Sequence, residues 1–218
     1  MDGDLADNPD IDFWGDITGA LPHDIRIGGP RDAANVLKEL TAVMQSRVSA
    51  DSEPPIFLVI DNLGRFRDLR RADDDYGFGG SGKQSSSPAK QFVDLLKEGP
   101  TVGVHVIVWC DSFNNLGRWL SNQSVRELEM RVAFQMSSTD SSNLIDSPSA
   151  GKLGTNRALL FLEEQGTLEK FRPYGLPSDE LRTALQQRFA NEVVASDEAI
   201  VSDDDLEVCD DLDMFTIL

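Results

Sequence analysis

The chain has 218 residues, 40% of them hydrophobic, which allows one sizeable packed domain with tails. Its net charge of −18 sits at the ends: residues 1–24 hold seven Asp and residues 191–218 ten Asp or Glu, neither holds a Lys or Arg, and the middle is nearly balanced. Acidic ends repel nucleic acid, the two cysteines (Cys110, Cys209) exclude a disulfide framework and a metal finger, and no apolar run approaches the length of a membrane span.

After an acidic N-terminal segment (1–24), DIRIGG (24–29) reads as a short strand ending in glycines. PRDAANVLKELTAVMQSRV (30–48) spaces Ala33, Val36, Leu37, Leu40, Val43 and Met44 at three and four, the signature of an amphipathic helix. IFLVID (56–61) is a continuous apolar run, as expected of a strand buried on both faces of a parallel sheet. Residues 62–87 read as a flexible loop, with Arg65, Arg67, Arg70 and Arg71 near its start. SPAKQFVDLLKEG (87–99) predicts a helix capped by Ser87, with Pro88 in its first position and Gly99 at its stop. VGVHVIVWCDS (102–112) predicts a second buried strand, NNLGRWLSNQSVRELE a broken helix, RVAFQMS (131–137) a third strand, and TDSSNLID a short helix. ALLFLEE and LEKFRPY, joined by a QGT turn, predict an antiparallel hairpin, and SDELRTALQQRFANEVV (178–194) a closing helix. Strands alternating with helices give α/β with a largely parallel central sheet.

The globular part is therefore placed at 25–194 and an acidic, disordered tail at 195–218. In that tail DMFTIL has the make-up of a docking peptide, with an inert solvated end as the alternative. A reducing cytoplasm is the expected setting.

Residues 77–84, GFGGSGKQ, almost spell the phosphate loop G-x-x-x-x-G-K-[ST], with Gly77, Gly82 and Lys83 in register. Gln84 stands where a hydroxyl would ligate Mg²⁺, a charged run replaces the preceding strand, and SSSP replaces the following helix. The stretch is read as a Gly/Ser surface loop. His105 alternates with Ile107 and Trp109, which suits a core histidine.

IFLVIDN, GVHVIVWCDS, RVAFQMSSTDSSNLIDSPSAGKLG and ALLFLEEQGTLEKFRPYGLP together resemble the FtsK/SpoIIIE branch of the FtsK–HerA ATPases, ring-forming DNA pumps. The resemblance covers roughly residues 25 to 177, and RVAFQMSS is its most distinctive part. It implies a three-layer, RecA-like P-loop sheet with a C-terminal antiparallel hairpin, incomplete at the N-terminal side. In that family IFLVID is the Walker B strand, so Asp61 would hold Mg²⁺ through water and Asn62 would occupy the catalytic position beside it. Asp111 and Ser112 would be the polar sensor residues near ATP, and Arg131 a candidate for acting in trans on a neighbour's nucleotide. The resemblance further implies ATP and Mg²⁺ as cofactors if a Walker A half completes the site, a homo-oligomeric ring or a Walker A-bearing partner, and double-stranded DNA as cargo contacted by Arg65, Arg67, Arg70 and Arg71.

The chain departs from the family where the chemistry lies. No Gly-Lys-Ser/Thr loop precedes IFLVID, so the chain matches the second half of a motor domain. Asn62 replaces the glutamate that orients water; its amide can hydrogen-bond a water but cannot take its proton. Cys110 and Asp111 replace a common Thr-Gln, and Ser142 stands where the family often has an arginine. Two readings follow: the Walker B half of a DNA translocase that is inactive alone, or a degenerate ATPase module kept for ring assembly or docking. The residues themselves also allow simpler roles: Asp61 as a strand-end residue, Arg131 in a structural salt bridge, and the four arginines as a solvated surface balanced by Asp68, Asp73, Asp74 and Asp75.

Overall fold

Two apolar strands of five residues carry the first layer. In the computed structural model, which describes residue 1 and residues 21–47, 53–71 and 87–198, β1 (Ile56–Ile60) and β2 (Val104–Val108) pair in parallel, with Ile56 opposite Val104 and Ile60 opposite Val108. Two helices, α1 (Ala33–Arg47) and α2 (Pro88–Glu98), supply the cover. Leu58, Ile60 and Val104 share one core with Ala33, Leu37 and Met44 of α1 and Phe92, Leu95 and Leu96 of α2. Each large side chain buried this way contributes about 1.5–3 kcal/mol as an upper figure. Ser87 accepts from Lys90 N to cap α2, and Pro88 occupies its first turn. Gly99 lets the chain turn back tightly, since a Cβ there would meet the Val104 carbonyl oxygen at 2.4 Å. Arg47, buried at the end of α1, donates to Pro54 O at 2.8 Å and ties the helix to the approach to β1.

Two short helices follow, α3 (Phe113–Trp119) and α4 (Asn122–Arg126), broken at Leu120 and Ser121. A second sheet then forms from β3 (Met130–Ala133), β4 (Ala158–Leu162) and β5 (Thr167–Phe171), all antiparallel, in the order β3-β4-β5. Helix α5 (Ser138–Ile145) packs on it around Ala133, Ile145, Ala150, Leu153, Leu159 and Phe161. The chain divides into two compact units, and these elements belong to the first. The second contains α6 (Asp179–Glu198), whose start is capped by Ser178 accepting from Leu181 N.

The chain is thus mixed α/β, and several expectations need correction. A largely parallel central sheet is not formed among the described strands: only β1 and β2 are parallel, and no described strand bridges the second edges of β2 and β3. The expected RecA-like sheet was an incomplete one, and the described residues show a parallel pair and a three-stranded antiparallel sheet. DIRIGG is not a strand. Gly28 and Gly29 break the extended run, and Gly29 N donates to Asp32 Oδ2 in a turn that leads into α1. Neither is the β1–β2 sheet buried on both faces. Phe57 is 59% exposed, Trp109 47% and Ile107 42%, because α1 and α2 cover the opposite face only. His105 lies on this open face, stacked on Phe57 with centroids 5.2 Å apart, and is not a core histidine. The glycine-rich loop at 77–84 lies outside the described residues, as do residues 199–218 of the acidic tail expected at 195–218; its first residues, 195–198, continue α6 and are not disordered.

Candidate functional site at the carboxyl ends of β1 and β2

Parallel strands end side by side, so whatever follows each last apolar residue is delivered to one rim. Trp109 N donates to Ile60 O at 2.9 Å and Leu63 N to Trp109 O at 3.0 Å, which sets Asp61 and Asn62 level with Trp109 and Cys110. Asp111 and Ser112 follow on the same rim. The backbone bonds thus set Asp61 and Asn62 beside Trp109 and Cys110, with Asp111 and Ser112 next along the chain. The second edge of β1 is occupied here by Met1, whose amino group donates to Val59 O and whose carbonyl accepts from Asp61 N.

Asn62 has φ 57, the left-handed conformation that Asn tolerates better than most residues. It opens a pair of 3₁₀ turns, Leu63–Arg65 and Arg67–Leu69. Here a flexible loop was expected, and the difference has a clear cause. Leu63, Phe66 and Leu69 recur every third residue, the 3₁₀ period, and all three are fully buried. Trp119 of α3 locks the bend by donating its Nε1–H to Phe66 O at 2.8 Å. Arg65, Arg67, Arg70 and Arg71 thus stand exposed on or beside a turn anchored in the core.

Asp111 is exposed, and both its oxygens accept from Asn115 Nδ2 at 2.9 Å. That contact holds its carboxyl below the usual carboxylate range. Ser112 caps α3 by accepting from Asn115 N at 3.2 Å. Asn115 therefore fixes both sensor-position residues, and it was missed in the sequence. The Asp–x–x–x–Asn spacing, one helical turn, was the available signal. Burial pushes the Cys110 thiol up.

Arg131 lies away from this rim. It is buried on β3, donates Nε to Leu128 O at 2.9 Å and Nη1 to Leu144 O at 3.1 Å, and lies 5.5 Å over the Phe161 ring. Its Nη2 forms an ion pair with Glu163, and the two charged atoms have no other partner. Desolvation lowers its pKa, as burial of a cation must. This guanidinium is engaged within its own chain, the structural role that its strand position allowed. Ser142, where an arginine would stand, is exposed and donates to Ser138 O at 2.9 Å.

Asp61 and Asp111 offer the hard oxygens that Mg²⁺ prefers. No group of three His, Cys, Asp or Glu able to hold a metal occurs among the described residues. No helix of the described residues is long and apolar enough to cross a membrane.

No family model matches the chain, and no curated protein does. Among solved structures, a similar chain is the cytoplasmic domain of the Thermomonospora curvata Type VII secretion ATPase EccC, with a TM-score of 0.41 and 16% identity. The match covers 81% of this chain and 19% of that one, so this chain spans about a fifth of the length of its neighbour. At that score and identity the likeness assigns neither chemistry nor partners.

Proposed function

We propose that this chain supplies the Walker B and sensor strands of an FtsK/SpoIIIE-like ATPase, and that it binds nucleotide only when a Walker A-bearing segment completes the site. The observation that carries this reading is the rim itself: Asp61–Asn62 and Asp111–Ser112 end two adjacent parallel strands. The second edge of β2, with no strand partner among the described residues, supports it as the place where a further strand would add.

A Mg²⁺ ion in the completed site would neutralise charge on the phosphates, and Asp61 is the residue that would hold it. Asn62 would orient a water without accepting its proton. Asp111, fixed by Asn115, faces the same rim and tolerates a polyphosphate only with a cation between them. Turnover is slow, because a missing general base forgoes roughly 10²–10⁴-fold. Arg65, Arg67, Arg70 and Arg71 are the residues for the phosphates of double-stranded DNA, and a ring is the assembly that such a motor needs.

A second reading has its own support. Arg131 is engaged internally and Asn62 lacks a carboxylate, which suits a module that assembles or docks without turnover.

A Walker A strand–loop–helix fused ahead of Met1 tests both. The motor reading expects Mg²⁺-dependent ATP binding that Asp61→Ala weakens, and Asn62→Glu to raise turnover without tightening binding. Brisk wild-type turnover that Asn62→Glu leaves unchanged contradicts the assignment of Asn62, and Asp111 becomes the candidate base. No nucleotide binding in the fusion favours the docking module.

A further inference from the structure

Peptide groups along β2 alternate in direction. Gly103 O accepts from Ile56 N and Trp109 N donates to Ile60 O, so the odd-numbered residues turn their backbone groups toward β1. Val106 and Val108 turn theirs to the second edge, which has no strand partner among the described residues. Ile107 and Trp109, with Phe57, form the open apolar face beside that edge. A second exposed apolar element lies in the same compact unit: Tyr174 is 98% exposed and Leu176 82%. They sit in residues 172–178, which form no helix, strand or turn. The prolines at 173 and 177 have no N–H, and Gly175 between them has no side chain. In an extended chain 173, 175 and 177 turn their backbone to one edge, and Tyr174 and Leu176 turn theirs to the other. Only that second edge is fit to pair.

We propose that residues 173–177 of one copy add as a parallel strand to the second edge of β2 in a second copy. The direction follows from the ladder. In a parallel pair a residue that points its backbone at the partner donates to the residue before its opposite number, as Ile56, opposite Val104, donates to Gly103 O. Tyr174 and Leu176 then donate to Val106 O and Val108 O, and their side chains stand opposite Ile107 and Trp109 on the open face. An antiparallel strand using the same two donors would place both side chains on the other face, where Val106 and Val108 already pack against the core. The two prolines turn outward and stop a third strand from adding. The chain does not make this contact with itself, since Tyr174 is exposed in the unit that contains β2. A second copy carries both halves, and the contact is head to tail, the kind that yields a ring or a filament. Such a short strand and its few side chains bury less than the roughly 1,200 Å² of a stable interface, so the association is weak and reversible. It needs only the open edge and stands apart from the nucleotide reading, although a Walker A strand would compete for the same edge.

Sedimentation velocity of the full chain from micromolar to millimolar concentration should show an average mass that rises with concentration. Tyr174→Asp spoils the strand and Ile107→Lys the face, both at exposed positions, and each should weaken association by about 10-fold or more. Mixed together, the two variants should form a dimer and nothing larger, because one still has a sound strand and the other a sound edge. A synthetic peptide of residues 171–178 should dissolve the wild-type assembly and shift the Val108 amide signal of the ¹⁵N-labelled chain, a readout that needs no variant to fold. A wild type that stays monomeric at millimolar concentration would overturn the proposal. So would association that Tyr174→Asp leaves unchanged, a variant mixture that remains monomeric, or a peptide that leaves Val108 unmoved.

Discussion

Phe66→Ala is the sharpest test of how the arginine turn is built. Phe66 is fully buried between Leu63 and Leu69, and its carbonyl accepts the Trp119 indole N–H. Removing the ring leaves a cavity in the core that Phe66 shares with Leu69, Leu95 and Leu116, and buried Phe→Ala changes cost about 3–5 kcal/mol. A domain of this size holds about 5–15 kcal/mol in total, so at least about a fifth of its stability is at stake. With a urea slope of about 2 kcal/mol/M, the unfolding midpoint should fall by roughly 2 M. The control is Arg67→Ala, exposed on the same turn, which should change stability by less than about 0.5 kcal/mol. Urea unfolding followed by tryptophan fluorescence reads both, since Trp119 touches the turn. A loss below about 1 kcal/mol for Phe66→Ala would refute the account. The arginines would then sit on a loop with no anchor in the core.

Glu163→Gln should destabilise the chain by about 1–3 kcal/mol in thermal unfolding, less than a fully buried pair because Glu163 keeps a third of its side chain exposed. Asn115→Leu should raise the Asp111 pKa toward the ordinary carboxylate value, read by NMR titration of its side-chain carbon; no change would contradict the contact. The sign follows from the depressed folded value: the Asn115 contact contributes fully above the unfolded pKa and is lost as pH falls through the folded one. Gly117→Ala should stabilise the fold by about 0.5–1 kcal/mol, measured by urea unfolding.

The helices were legible because their ends are written in side-chain chemistry. Ser87–Pro88 starts α2, and Ser121, after Leu120, separates α3 from α4 with its own cap. The strands were legible from apolar runs, but which face they bury was not. IFLVI looks equally apolar on both sides, and only the packing of α1 and α2 leaves Phe57 out and Leu58 in. DIRIGG carried strand-forming isoleucines, yet a strand needs a partner edge, and the Asp32 turn pulls this stretch toward the helix. The turn at 62–71 was hidden by its charges: four arginines drew attention from the three-residue spacing of Leu63, Phe66 and Leu69. At the candidate site, Asp61, Asn62, Asp111 and Ser112 could be named from the ends of two strands. Asn115 was visible only once α3 placed it one turn from Asp111.

The most direct test of the central claim is calorimetric titration of the purified chain alone with Mg²⁺·ATP. A half-site lacking a phosphate loop predicts no heat of binding up to millimolar nucleotide, in the wild type and in Asp61→Ala alike. Tight Mg²⁺-dependent binding by the lone wild-type chain, abolished by Lys83→Ala, would contradict it, because the loop at 77–84 would then hold the phosphates itself.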